Sequence, residues 1–173
     1  MKRFLALQTR NIFAASLLAA TALALAACQN AAQRAQQKAD ADAYAGKFFA
    51  AVKKTPNIQI LPSGVMYEIL KPGEGPYPTA GDTVTVHYTG MLSDGTKFDS
   101  TRDRGEPANL PLNMLVPGMT EALQKINKGG QIRIFIPYSQ GYGEDGRDNI
   151  PPYSILVFVV DMLDFKPTPM SPF

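Results

Sequence analysis

Residues Val84 to Arg104 read V-T-V-H-Y-T-G-M-L-S-D-G-T-K-F-D-S-T-R-D-R. Val84, Val86 and Tyr88 alternate with Thr85, His87 and Thr89. That period of two marks a strand with one buried face. Asp94-Gly95 supplies two residues that tolerate positive φ in a tight hairpin turn. A second short strand, Thr96 to Asp99, returns beside the first. It carries Phe98 and Asp99 toward Tyr88, with Arg102 and Arg104 within reach of the carboxylate. A phenol, a phenyl ring, an acid and a guanidinium thus converge on one end of one hairpin. His87 points away from Tyr88 and is read as structural.

Outward from the hairpin, Val65 to Lys71 reads as a strand after a Pro62-Ser63-Gly64 turn. Arg104 to Pro111 reads as an irregular, polar stretch. Pro117-Gly118 opens a short helix, Met119 to Asn127, whose inner stripe is Met119, Leu123 and Ile126. Gly129-Gly130 ends it. Ile132, Ile134 and Ile136 alternate as in a half-buried strand. Ser139 to Pro152 is a long loop, and a loop of that length in a compact domain usually carries function. Ile155 to Val160 is apolar on both faces and suits a central strand. Pro167, Pro169 and Pro172 predict an unstructured tail. The expected fold class is α+β: an antiparallel sheet of about five strands curled over one short helix, preceded by an N-terminal helix.

Composition narrows the function. The chain is 45% hydrophobic and 18% charged, enough apolar material for a core. Lys2, Arg3 and Arg10 fall in the first 27 residues, leaving 14 basic and 15 acidic residues in the rest. That balance is no footprint for nucleic acid. The single cysteine cannot form an internal disulfide, and the single histidine excludes a His-cluster metal site. The usual hydrolytic sets are missing from the pattern, and no cofactor is expected.

The hairpin words V-H-Y-T-G-M-L, D-G-T-K-F-D-S and R-D-R are followed in order by V-P-G-M-T-E-A-L, G-Y-G and I-P-P-Y-S-I-L-V-F. This series, over about residues 63 to 165, resembles the FK506-binding (FKBP) type of peptidyl-prolyl isomerase. The resemblance implies an FKBP-like fold with a ligand pocket between helix and sheet. It implies Tyr88, Asp99, Val116 and Tyr142 as catalytic residues, with the Val116 N–H and the Tyr142 hydroxyl bonding the substrate. Phe98, Arg104, Leu115, Met119, Ile150 and Phe158 would line the pocket. Met119 stands where the family usually has a tryptophan, and Ala108 where an aromatic is common. Implied partners are proline-containing unfolded or exported polypeptides, with tacrolimus and rapamycin as weak ligands. An alternative reading is a lipid-anchored chaperone or assembly-factor module with weak isomerase activity. Each wall residue also has a plain structural reading: core packing for the apolar ones, an ion pair for Asp99 and Arg104, an ordinary loop tyrosine for Tyr142.

Before the domain, residues 40–56 read as an amphipathic helix with Tyr44, Phe48, Phe49 and Val52 on one stripe and Pro56 at its end. Such a helix serves either dimerisation and client binding, as a shortened form of the arm in macrophage infectivity potentiator-like isomerases, or as a spacer packed on its own domain. The spacer reading, with a monomer, is preferred. The expected boundaries are a lipoprotein signal peptide at 1–27, a lipidated tether and helix at 28–56, the isomerase domain at 57–166 and a Pro-rich tail at 167–173. The basic start and the apolar run Ile12 to Ala27 have the shape of a signal peptide. Leu25-Ala26-Ala27-Cys28 resembles the lipobox of bacterial lipoproteins. In that family the cysteine is acylated, and more than one chain anchors durably. Gln29 after it implies outer-membrane sorting, with the domain facing the periplasm. The other reading is an ordinary signal peptide with an incidental cysteine. Lipidation predicts that intact-mass analysis of the membrane fraction finds an acylated chain starting at Cys28. A mature chain that starts elsewhere, or carries no acyl mass there, overturns it.

Overall fold

The computed structural model describes residues 29–167. The expected signal peptide, Cys28 and residues 168–173 of the tail lie outside the described residues. Helical residues 29–40 belong to a unit of their own. The second unit runs from Ala41 onward. Its helical residues 41–52 are named α1 here. In chain order there follow β1 (Gln59–Ile60), β2 (Met66–Lys71), β3 (Asp82–Leu92), β4 (Lys97–Ser100), α2 (Thr101–Arg104), β5 (Ala108–Pro111), α3 (Pro117–Leu123), β6 (Gln131–Ile136) and β7 (Leu156–Pro167).

The strands make one antiparallel sheet in the order β1-β2-β6-β7-β3-β4, with β5 also on β3. The expected α+β architecture is present, with seven strands rather than five. The two extra strands are short. β1 is two residues long, too short for a period of two to show. β5 falls in the stretch read as irregular and pairs Val84 with Leu110 and Val86 with Ala108. Prolines at 107 and 111 bound it, and its one partner is β3, so it is an edge strand that can take them. β3 serves two partners in turn, β5 along Thr83–Val86 and β4 along Thr89–Met91.

The hairpin loop differs from the two-residue turn expected. Gly95 N donates to Leu92 O at 3.0 Å and Leu92 N to Thr96 O at 2.8 Å. Ser93, Asp94 and Gly95 therefore form a three-residue loop, and only Gly95 takes positive φ, at 88°. The Asp94 carboxylate accepts from Thr96 N at 2.8 Å, which closes the loop.

The helix opened by Pro117 ends at Leu123, four residues before the expected Asn127. Residues 127 and 128 instead turn against Gly73, where a Cβ would sit 2.4 Å from Asn127 O. Glu74 bridges to Lys128, and this pairing takes the chain out of the helix. The inner stripe still faces inward: Met119, Leu123 and Ile126 are all buried. They pack with Val84, Val86, Ile132, Ile134, Ile136, Leu156 and Val160 from one face of the sheet. Pro167, expected in the tail, instead closes β7 opposite Asp82.

The opposite face carries a second cluster. Val52 of α1 is buried with Met66 and Phe135, and Phe48 and Phe49 pack against them. Asp42 accepts from the Tyr138 hydroxyl at 2.8 Å, and Tyr44 donates to Ser93 Oγ at 3.2 Å. Phe48, Phe49 and Val52 of the α1 stripe thus pack on its own sheet while Tyr44 stays half exposed, and this packing accounts for the two-faced burial of β6. A chain beginning at Ala41 should therefore be more stable than one beginning at Asn57 by about 2 kcal/mol, the scale for one buried large side chain. Denaturant unfolding of the two chains measures this. Equal midpoints would show that α1 contributes nothing to the domain.

Candidate active site

Neighbouring strands bring the aromatic wall together. Tyr88 and Gly90 lie on β3, Phe98 and Asp99 on β4, and Phe158 on β7. Gly90 is paired with Asp99 on one side and Phe158 on the other. The rings of Phe98 and Phe158 lie directly over it. A Cβ there would come within 2.7 Å of Phe98 and 2.8 Å of Phe158. Only glycine leaves room for both rings, which meet edge to face at 5.6 Å and 85°. Tyr88 meets Phe158 at 6.2 Å.

The polar wall depends on α2, a single turn that the sequence did not signal. Ser100 caps it, its Oγ accepting from Asp103 N, and Gly105 ends it with φ 81°. Buried Thr101 ties the turn to β3: its Oγ1 accepts from Tyr88 N at 2.8 Å and lies 3.1 Å from His87 Nδ1. The turn swings Arg104 back over the hairpin. Arg104 donates to the Asp99 carboxylate and, at 3.4 Å, to the Tyr88 hydroxyl. The Tyr88 hydroxyl donates to Asp99 in turn. Arg102, expected near the same carboxylate, instead leaves the other side of the turn and pairs with Asp161. Residues two apart on a helical turn point to nearly opposite sides, so the two arginines take different partners.

These contacts set the protonation states. Burial pulls the Asp99 carboxyl upward, but the hydrogen bonds from Tyr88 and Arg104 outweigh it and hold the group below its ordinary value. Burial first, then the bond to Asp99, pushes the Tyr88 phenol upward. The bond to Asp99, followed by that to Tyr88, raises the Arg104 guanidinium further above its already high value. At neutral pH the cluster holds an ionised acid, a neutral phenol and a cation, each with a partner.

In front of this wall lies a cavity of about 220 Å³. It is lined by Tyr88, Phe98, Asp99 and Phe158, and by Met119 at the first turn of α3. Leu115, Val116 and Tyr142 line it as well. Eight of the ten pocket residues expected from sequence thus line one cavity. Arg104 stands behind Asp99 and does not line it. Ile150 lines an adjoining cavity of about 330 Å³ with Phe98, Asp99, Tyr142, Arg147, Asp148 and Asn149. Val116 precedes α3, and its backbone N–H makes no hydrogen bond among the described residues. No group of three or more His, Cys, Asp or Glu placed to hold a metal occurs among the described residues.

Several lining residues escaped the sequence reading. Leu110 reaches the cavity from β5, the strand read as irregular. Met114 stands at the mouth with 79% of its surface exposed. Arg147 borders both cavities. Gly90 and Thr101 act at one remove, and only the glycine within an otherwise β-branched and aromatic strand was a signal.

Comparison with known proteins places this geometry. The family model described as FKBP-type peptidyl-prolyl cis-trans isomerase matches residues 75–163. The FKBP-type isomerase FkpA of Aeromonas hydrophila is 45% identical over 131 residues, which are 73% of this chain and 49% of that protein. Outer membrane protein MIP of Legionella longbeachae is 41% identical over 132 residues, 76% of this chain and 55% of that one. The crystal structure of FkpA from Escherichia coli superposes with a TM-score of 0.75 at 39% identity, covering 80% of this chain and 65% of the other. The chain spans about half the length of the curated relatives it matches. With its family segment running from ahead of β3 into β7 and carrying every residue that lines the cavity, the chain belongs to the FKBP-type peptidyl-prolyl cis-trans isomerases.

Proposed function

We propose that this chain accelerates cis–trans isomerisation of Xaa–Pro bonds in unfolded or exported polypeptides. The observation that carries this reading is the aromatic-lined cavity that brings Tyr88 and Asp99, backed by Arg104, together with the uncommitted Val116 N–H. Amide resonance sets a barrier of roughly 18–20 kcal/mol. Rotation forms and breaks no covalent bond, so a site need only favour the twisted amide. The proline ring enters between Phe98, Phe158 and Met119, which strip it of water. Desolvation disfavours the more polar planar amide relative to the twisted one. The Val116 N–H and the Tyr142 hydroxyl hold the carbonyls that flank the rotating bond. Asp99, with its charge already engaged by Tyr88 and Arg104, orients that wall without demanding a counter-ion from the substrate.

The finer parts of the reading follow from the sequence. Cys28 carries the lipid anchor, and the domain works in the cell envelope on the periplasmic face of the outer membrane. The relative named outer membrane protein MIP supports that location. The chain acts as a monomer, because the stripe of α1 that could pair with a second copy packs on its own sheet. Met119 offers a flexible thioether where an aromatic floor would be rigid, so tacrolimus and rapamycin bind weakly.

A protease-free assay on short prolyl peptides tests the function. The chain should raise the isomerisation rate, and Tyr142→Phe should lower kcat/KM roughly 2- to 12-fold, the scale of one net hydrogen bond. A natively folded chain without effect on any prolyl peptide would sink the reading.

The Asp99 contacts give a second prediction. The folded-state pKa lies below the unfolded value of about 3.9. The stabilisation therefore exists above about pH 4 and fades as pH falls through the folded value. Asp99→Asn should destabilise the domain at pH 7, and the gap to wild type should narrow between pH 4 and pH 2. Denaturation at both ends of that range measures it. A gap that is the same at every pH would show that the Asp99 charge is not held by Tyr88 and Arg104.

A further inference from the structure

We infer that Arg147 makes the second cavity a subsite for an acidic residue adjacent to the substrate proline. The inference rests on the isomerase reading above and adds a substrate class to it. The two cavities share a wall made of Phe98, Asp99, Tyr142 and Arg147. For a polypeptide whose proline fills the first, that shared wall is one way out. A neighbouring residue then enters the second, which adds Asp148, Asn149 and Ile150.

Of the charged residues lining the second cavity, Asp99, Arg147 and Asp148, only Arg147 is a cation. Asp99 is already occupied by Arg104 and Tyr88. Asp148 pairs with Arg147 at Nε, at 3.4 Å, and both side chains are mostly exposed, at 83% and 68%. A pair of that kind holds weakly. The terminal nitrogens of Arg147 make no hydrogen bond among the described residues. The free end is a planar two-pronged donor, which matches a carboxylate.

The group is also held in place. Its guanidinium carbon lies 5.8 Å from the centre of the Tyr142 ring, a cation–π arrangement. Its backbone is clamped: Arg147 N donates to Ile150 O at 2.9 Å and Ile150 N to Arg147 O at 2.7 Å. Asp148 takes φ 48° at the tip of this two-residue turn. Gly146 sits beneath, where a Cβ would come within 2.2 Å of Ile150 O. A long loop that could have been slack instead fixes one arginine at the edge of both cavities.

The test uses the full chain, wild type and Arg147→Gln, in the protease-free assay at low salt. One peptide set carries Glu, Gln or Lys immediately before proline, and a second set carries them immediately after. The quantity read is the ratio of kcat/KM between peptides within each protein, so a general loss of activity cancels. In one set Glu should exceed Gln roughly 2- to 5-fold, the range for an exposed ion pair, with Lys below Gln. The ratio should fall toward one at high salt and in Arg147→Gln, and Arg147→Lys should retain part of it. Equal Glu and Gln rates in both sets overturn the subsite while leaving the isomerase reading intact. So does a Glu preference that survives in Arg147→Gln. Acceleration of no peptide overturns the isomerase reading, and the subsite with it.

Discussion

Antiparallel pairing of β3 with β7 is the constraint on which the site depends. It runs from Asp82 opposite Pro167 to Leu92 opposite Leu156 and sets the faces of both strands. Side chains alternate with a period of two, so a slip of one residue would turn Phe158 away from the cavity. The buried residues Val84, Val86, Phe158, Val160 and Met162 make such a slip costly. One irregularity, between Thr85 and Val86, interrupts the ladder. It lies close to where β3 exchanges β5 for β4 as its outer partner. A bulge sharpens strand twist, which suits a sheet that must curl around α3.

Around that pairing the site is built from two opposite solutions to burial. The aromatic side is made by omission: Gly90 has no side chain, and Phe98 and Phe158 occupy the space above it. The polar side is made by mutual satisfaction. Tyr88, Asp99 and Arg104 bond one another, so a charge beside an apolar cavity stays partnered. A wall whose charges are already engaged can face a neutral amide without competing for it. One uncommitted donor on that rim, the Val116 N–H, sits where the chain enters α3.

The helix before the domain shows how one pattern can support two outcomes. An apolar stripe of Phe48, Phe49 and Val52 would serve a second copy as well as it serves this sheet. Which surface covers it depends on Met66 and Phe135, which lie on strands far away in sequence. Phe135 alternates out of phase with Ile132, Ile134 and Ile136, so a period-two reading of β6 assigns it to solvent. Its burial becomes visible only once α1 lies across it.

By itself the sequence determined what local chemistry can specify. The alternation of Val84, Val86 and Tyr88 marked β3, the run Ile132 to Ile136 marked β6, and Pro117-Gly118 marked the start of α3. The order of short motifs named the family and brought eight wall residues into one list, because those motifs carry the side chains that meet in the cavity. Tertiary structure decided what rests on contacts between distant segments. β5 exists because β3 offers it an edge, and its own four residues carry too little pattern to announce a strand. α3 stops at Leu123 because Lys128 must reach Glu74. Arg102 and Arg104 part company because one helical turn aims them at different carboxylates, Asp161 and Asp99. Arg147 borders both cavities because a two-residue turn and the Tyr142 ring hold it there, and neither restraint has a signature in the linear chain.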